Sequence, residues 1–232
     1  MSRQELAGAV GRLDEITRRL RRECPWDREQ DERSIVPHTV EEAYELADAA
    51  HSGDHAKMLD ELGDVLFQVV FLALLLEERG AGDLAAVAEH CRAKLIRRHP
   101  HVFGDVKAAT ADDVRDTWAT VKRETERGGD VFGDLPDVLP ATTYAKKVQR
   151  HAESAGYGSR HAGEALSDAR RACEGFFAPG WEDEADGFEQ IGALLFDVVE
   201  AARALEVDPE LALRQHANGY RRDIEEASKT CE

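Results

Sequence analysis

Residues 39–76, TVEEAYELADAAHSGDHAKMLDELGDVLFQVVFLALLL, constrain the fold more than any other stretch. Two helical patterns flank a break at Ser52-Gly53-Asp54. The first carries Glu41, Glu42 and Glu45, and the second carries Glu61 and Asp64. Glu42 and Glu45 are three apart and share a helix face, as do Glu61 and Asp64. In an antiparallel hairpin, residues equidistant from the turn lie opposite one another. The position numbers 45 and 61 sum to 106, as do 42 and 64, so Gly53 is the midpoint of both pairs. The spacing therefore predicts four carboxylates converging at one level, about 12–17 Å along the helices from the turn at ~1.5 Å rise per residue.

Four anionic groups that close repel one another unless protonated or bridged by a cation. An oxygen-only donor set suits a hard divalent ion such as Mg²⁺, with Mn²⁺ as a substitute. The competing reading is a solvated acidic face, common in a chain with 47 Asp and Glu among 232 residues. The apolar run after Asp64 argues against it, because it marks the second helix as buried. Val65–Leu76 is apolar at every position but Gln68. A helix apolar nearly all round must be enclosed, so further helices or a second subunit must cover it.

The net charge of −17 argues against binding nucleic-acid backbones or an anionic membrane surface. The twelve-residue apolar run is too short to span a bilayer, and the N-terminus lacks the apolar core of a signal peptide. Cys24, Cys91, Cys173 and Cys231 are scattered, with no CxxC. Free thiols in a reducing cytoplasm are the expectation.

Along the chain, residues 5–22 form an amphipathic pattern, with Leu6, Val10, Leu13, Ile16 and Leu20 on one stripe. Cys24-Pro25-Trp26-Asp27 then starts a polar loop, in which Trp26 is either a hydrophobic plug or a stacking surface for a nucleobase. Thr39 and Glu42 have capping-box spacing, which would occupy Glu42 at its own helix terminus unless the helix begins a turn earlier, near Ile35. A third helix is expected from His55 to Arg79, ending at Gly80, and a fourth capped by Asp83. That fourth helix ends in Lys94, Arg97 and Arg98, at i, i+3 and i+4. The cluster is either favourable charge at a helix C-terminus or a phosphate-binding face. A helix from about Thr110 carries Trp118 and Lys122. Gly128-Gly129, Pro136 and Pro140 mark a linker, giving an expected division into 1–127, 128–140 and 141–232.

The second half holds a faint repeat. ELGDVLFQVV at 61–70 matches QIGALLFDVV at 190–199 with an offset of 129, and KLIRR at 94–98 resembles NGYRR at 218–222. Gly63/Gly192, Phe67/Phe196, Arg97/Arg221 and Arg98/Arg222 are retained. Glu61 becomes Gln190, Asp64 becomes Ala193, and Lys94 becomes Asn218. The copy keeps packing residues and loses the chemistry.

CPWDxxQ, EExxE, ELGDxLFQVVF and KLxRRHPHVF together resemble the MazG family of nucleoside triphosphate pyrophosphohydrolases. The match is dense over residues 10–124 and traceable to about 225. The resemblance implies an all-α helical bundle with a second, degenerate copy of the unit, a homodimer, and Mg²⁺-dependent hydrolysis of NTPs to NMP and pyrophosphate. By match to the motif, Glu42, Glu45, Glu61 and Asp64 are implied metal ligands, and Glu41 is a neighbouring acid able to orient water. Either Glu41 or a ligand such as Glu42 would accept the proton. Lys94, Arg97 and Arg98 are implied phosphate contacts, and Trp118 and Lys122 nucleotide contacts. Two alternatives are a narrower hydrolase of the dUTPase or phosphoribosyl-ATP pyrophosphatase kind, and a non-catalytic helical regulator.

Overall fold

The computed structural model describes residues 2–110, 113, 114, 117, 120, 121, 131–133, 135, 136, 138–158, 160–175 and 184–230. Trp118, Lys122 and Cys231 lie outside them. The described residues form helices and no strand: α1 (Arg3–Glu23), α2 (Pro25–Glu29), α3 (Glu32–Ser52), α4 (His55–Glu78), α5 (Leu84–Arg98), α6 (Pro100–Phe103), α7 (Ala141–Ser154), α8 (Ala162–Gly175), α9 (Glu184–Ala204) and α10 (Pro209–Thr230). The fold class is all-α, as expected. Two compact units divide at Ile96 and Arg97, within α5.

In the first unit α4 is central, packed along α3 and against α1. Gly53 ends α3 with φ 73°, in the left-handed region that suits glycine. Asp54 then caps α4, its carboxylate accepting from the backbone N–H groups of Ala56 (3.0 Å) and Lys57 (3.1 Å). Ile35, Phe71 and Leu75 form the core between α3 and α4. Ile35 and Phe71 are themselves equidistant from Gly53, so their packing carries the predicted register beyond the acids.

Arg21 of α1 pins this arrangement. Its guanidinium pairs with Glu78 through two 2.9 Å bonds and donates to the Asp27 and Gln30 carbonyls at 2.6 and 3.0 Å. It also lies over the Phe71 ring. One side chain thus ties α1, the end of α4 and the segment bearing Trp26. Arg18 adds a bidentate pair with Glu77, at 3.0 and 2.5 Å, and Arg79 pairs with Glu32.

Two expectations need correction. The segment after Cys24 is no loop: Pro25 occupies the first turn of the short helix α2, where its missing N–H costs nothing. Helix α3 starts at Glu32, not Thr39, because Asp31 and Ser34 form the capping box. Thr39 instead donates its hydroxyl to the Ile35 carbonyl, which frees Glu42 from any capping duty. On the apolar stripe of α1, Leu6, Ile16 and Leu20 are exposed, and the helix buries Thr17 fully. Within the described residues α4 is covered on one side. Val70, Phe71, Ala73, Leu74 and Leu75 are buried, whereas Leu59, Leu62, Leu66 and Val69 are exposed.

The second unit packs α9 against α7 and α8, with α10 on α7 and α9. Its interior is held by ions. Arg160 donates to Asp168 at 2.7 Å and to Asp197 at 2.9 Å, and pairs with the buried Glu200. Arg203 bridges Glu153 and lies 3.8 Å from Glu200. By the offset of 129, Glu200 stands where the first unit has Phe71. There the second unit has a buried carboxylate, and the Arg160 and Arg203 guanidinium groups neutralise it.

Candidate metal centre

Carboxylate oxygens of Glu42, Glu45 and Glu61 lie within 4.8 Å of one another, across the α3–α4 contact. Glu61 is buried, Glu42 half-buried and Glu45 exposed. The spacing of Glu42 and Glu45 sets both on the α4-facing side of α3, and the Gly53–Asp54 turn fixes Glu61 opposite them. Asp64 is exposed and outside this trio, although it is the first neighbouring charge acting on Glu42.

The electrostatics are those of uncompensated like charge. Burial raises the Glu42 carboxyl above its ordinary value, and the charges of Asp64, Glu45, Glu61 and Glu41 add to the effect. Glu61 is raised by burial and then by Glu45, with only Lys57, whose ammonium is 4.0 Å away, opposing. No sulfur or imidazole joins the cluster among the described residues. A set of clustered carboxylates, partly desolvated and short of counter-charge, fits a hard divalent cation.

Residues 30–103 match the model of the MazG nucleotide pyrophosphohydrolase domain. The chain is 35% identical over 95% of its length to a nucleoside triphosphate pyrophosphohydrolase of Escherichia coli, covering 87% of that protein. It is 36% identical to the nucleoside triphosphate pyrophosphohydrolase/pyrophosphatase MazG of Thermotoga maritima, over 83% of this chain and 74% of that one. A nucleoside triphosphate pyrophosphohydrolase of Mycobacterium tuberculosis is 32% identical over 66% of this chain and 46% of its own length. The chain belongs to the MazG family.

In this MazG chain the acids come from two helices of one compact unit, and the basic residues from the end of α5. Asp83 caps α5 as expected, accepting from the Ala86 N–H at 2.7 Å. Lys94 and Arg98 are half-buried and Arg97 exposed, all within one turn and a third. The division between units falls between Lys94 and Arg97. Glu41 is exposed beside the trio, its carboxylate 3.3 Å from Nδ1 of His38. Trp26 is half exposed and meets the His38 ring edge to face, with centroids 5.8 Å apart. Gln30, the last residue of CPWDxxQ, donates its amide to the Trp26 carbonyl at 2.8 Å, which gives that motif a local reason: it closes α2 and holds Trp26 up.

Three residues near the acids carry no role in the sequence motifs. His38 and Gln68 sum to 106, like the acidic pairs, and are the next rung of the same ladder. Lys57 is one turn before Glu61 and is the cation that the structure sets beside it.

Proposed function

We propose that the chain hydrolyses nucleoside triphosphates to the monophosphate and pyrophosphate with Mg²⁺. The observation that carries this reading is the trio of carboxylates from Glu42, Glu45 and Glu61 across two facing helices. Glu42, Glu45, Glu61 and Asp64 would hold the ion, with Asp64 turning in from its exposed position. When bound, Mg²⁺ polarises phosphoryl oxygens and acidifies a water. Glu41, exposed and steered by His38, accepts the proton of the attacking water. Lys94, Arg97 and Arg98 bind the phosphates and offset charge on the departing pyrophosphate. Trp26 provides a flat face for the base. Roles for Trp118 and Lys122 in contacting the nucleotide follow from the family motif.

The same reading extends to assembly and to the second half. Leu59, Leu62, Leu66 and Val69 run along α4 at 3-4-3 spacing, all exposed. The offset of 129 takes them to Phe188, Ile191, Leu195 and Val198 on α9, which are exposed as well. A seam of that spacing suits helix–helix packing, and it supports a homodimer in which these stripes are covered. Residues 1–127 are proposed as the catalytic domain, joined by 128–140 to a copy at 141–232 that lacks Glu61 and Asp64 equivalents.

The test is pyrophosphate release from a panel of NTPs and dNTPs, with and without Mg²⁺, for wild type and Glu42→Gln. Release that requires both Mg²⁺ and Glu42 is expected. Release that survives EDTA, or that Glu42→Gln leaves intact, contradicts the reading.

A further inference from the structure

The register of the helix pair continues past the acids in a way that gives the pair a direction. The rungs 45/61 and 42/64 are acidic, and 35/71 is the apolar rung packed in the core. Between them lies 38/68. Gln68 shares the acid-bearing face of α4, four residues after Asp64 and seven after Glu61. It is only 7% exposed, yet its Oε1 has no hydrogen-bond partner among the described residues. A buried carbonyl oxygen without a donor is uncommon and destabilising. Across from it, His38 is half-buried, its Nδ1 engaged with Glu41 and its ring met edge to face by Trp26.

Along the helix pair, Lys57 comes first, 4.0 Å from Glu61 on the side of the turn; the acids follow, and then the Gln68 amide and the His38 imidazole, whose ring meets the Trp26 indole. Behind that rung Ile35 and Phe71 are fully buried and close it. Charge gathers at one end, and at the other an unused acceptor shares a rung with His38 and its Trp26 neighbour. A nucleotide has that polarity.

Resting on the triphosphate reading above, we propose that Gln68 determines specificity for the nucleoside half of the substrate. Its Oε1 accepts a hydrogen bond from a donor on the nucleoside, a sugar hydroxyl or an exocyclic amino group, with His38 and Trp26 walling that end. A site built to hydrogen-bond a substrate group discriminates against the analogue lacking it, because the acceptor is then left unpaired.

The experiment measures kcat/KM for pyrophosphate release with ATP, 2′-deoxy-ATP, 3′-deoxy-ATP and purine riboside triphosphate, which lacks the 6-amino group. Wild type is expected to favour ATP over one of the three analogues by at least about tenfold. The analogue that suffers identifies the donor as 2′-OH, 3′-OH or amino. Gln68→Met keeps the volume and removes the acceptor, so the preference should shrink to about twofold or less while the melting temperature holds or rises. Wild type without preference in any arm overturns the proposal without recourse to a variant. A Gln68→Met protein that keeps the wild-type ratios, or one that loses thermal stability with the ratios unchanged, also overturns it. Absence of pyrophosphate release from every nucleotide by wild type removes the triphosphate reading itself, whereas hydrolysis blind to the donor removes this inference alone.

Discussion

Divalent metal should act on the stability of the first unit and leave that of the second unchanged. Mg²⁺ that binds the folded acids and not the unfolded chain stabilises by mass action, about 2.7 kcal/mol when free metal is a hundredfold above Kd. The unit that gains is Met1–Ile96. For a unit of about 60–100 residues each kcal/mol moves the melting point by about 4–8 °C, so the transition should rise by about 10–20 °C between EDTA and saturating Mg²⁺. The second unit serves as an internal control, because Asp168, Asp197 and Glu200 already share Arg160. The assay is differential scanning calorimetry of the full chain, with Glu61→Gln alongside. That variant removes one member of the trio and relieves repulsion, so it should melt no lower than wild type in EDTA and respond far less to Mg²⁺. Equal metal shifts in both proteins, or none in wild type, would refute the reasoning.

The metal-free protein should also show an inverted pH response in the first unit. Glu42 and Glu61 have folded values raised above 4.5, so the folded state binds more protons than the unfolded chain just above that pH. Their contribution is present below 4.5 and lost as pH rises through the raised values. Melting in EDTA should therefore weaken as pH rises past the ordinary carboxylate range, and saturating Mg²⁺ should abolish the decline. A pH-independent melt in EDTA contradicts this. Asp31, held low by the Ser34 N–H, and Glu78, held low by Arg21, act in the opposite sense. Their stabilisation is lost on acidification below the ordinary carboxylate range, which a melt series from pH 5 down to 2 would reveal. Phe71→Ala, at a site with no solvent exposure, should cost about 3–5 kcal/mol and weaken metal response, since Ile35 and Phe71 hold the register; urea unfolding and calorimetry check both. Leu62→Glu with Leu66→Glu should halve the mass in sedimentation equilibrium if the α4 seam is the dimer contact, and an unchanged mass argues against that face.

Much of the α3–α4 architecture was legible because a hairpin's register reduces to arithmetic about its turn. Gly53 and Asp54 signal that turn through local chemistry, a left-handed glycine and an N-cap, which tertiary context has little power to override. The same arithmetic reaches Ile35/Phe71 and His38/Gln68. Thr39-x-x-Glu42 and Asp31-x-x-Ser34 both have capping spacing, so spacing alone does not fix the start of α3. The choice falls to Asp31, since the resulting helix can bury Ile35 on Phe71. The α1 stripe illustrates a limit of periodicity: it marks an apolar face without saying what covers it, and Leu6 and Ile16 remain exposed within this chain. Asp64 shows another. Spacing puts it on the correct face, but its side chain stays exposed, with its charge felt at Glu42 and Glu61. In the second unit, the Arg160 network had no sequence signature, because Arg160, Asp168 and Glu200 come together only through packing of α8 on α9.

The central claim is that acids on α3 and α4 face each other closely enough to trap a hard cation. Crystals soaked in Mn²⁺ and measured at the manganese absorption edge test it directly. The account predicts an anomalous peak between Glu42, Glu45 and Glu61, with Asp64 turned in to join them, and its loss in Glu61→Gln. A well-ordered α3–α4 pair with no peak there, or with manganese only elsewhere on the chain, would contradict it.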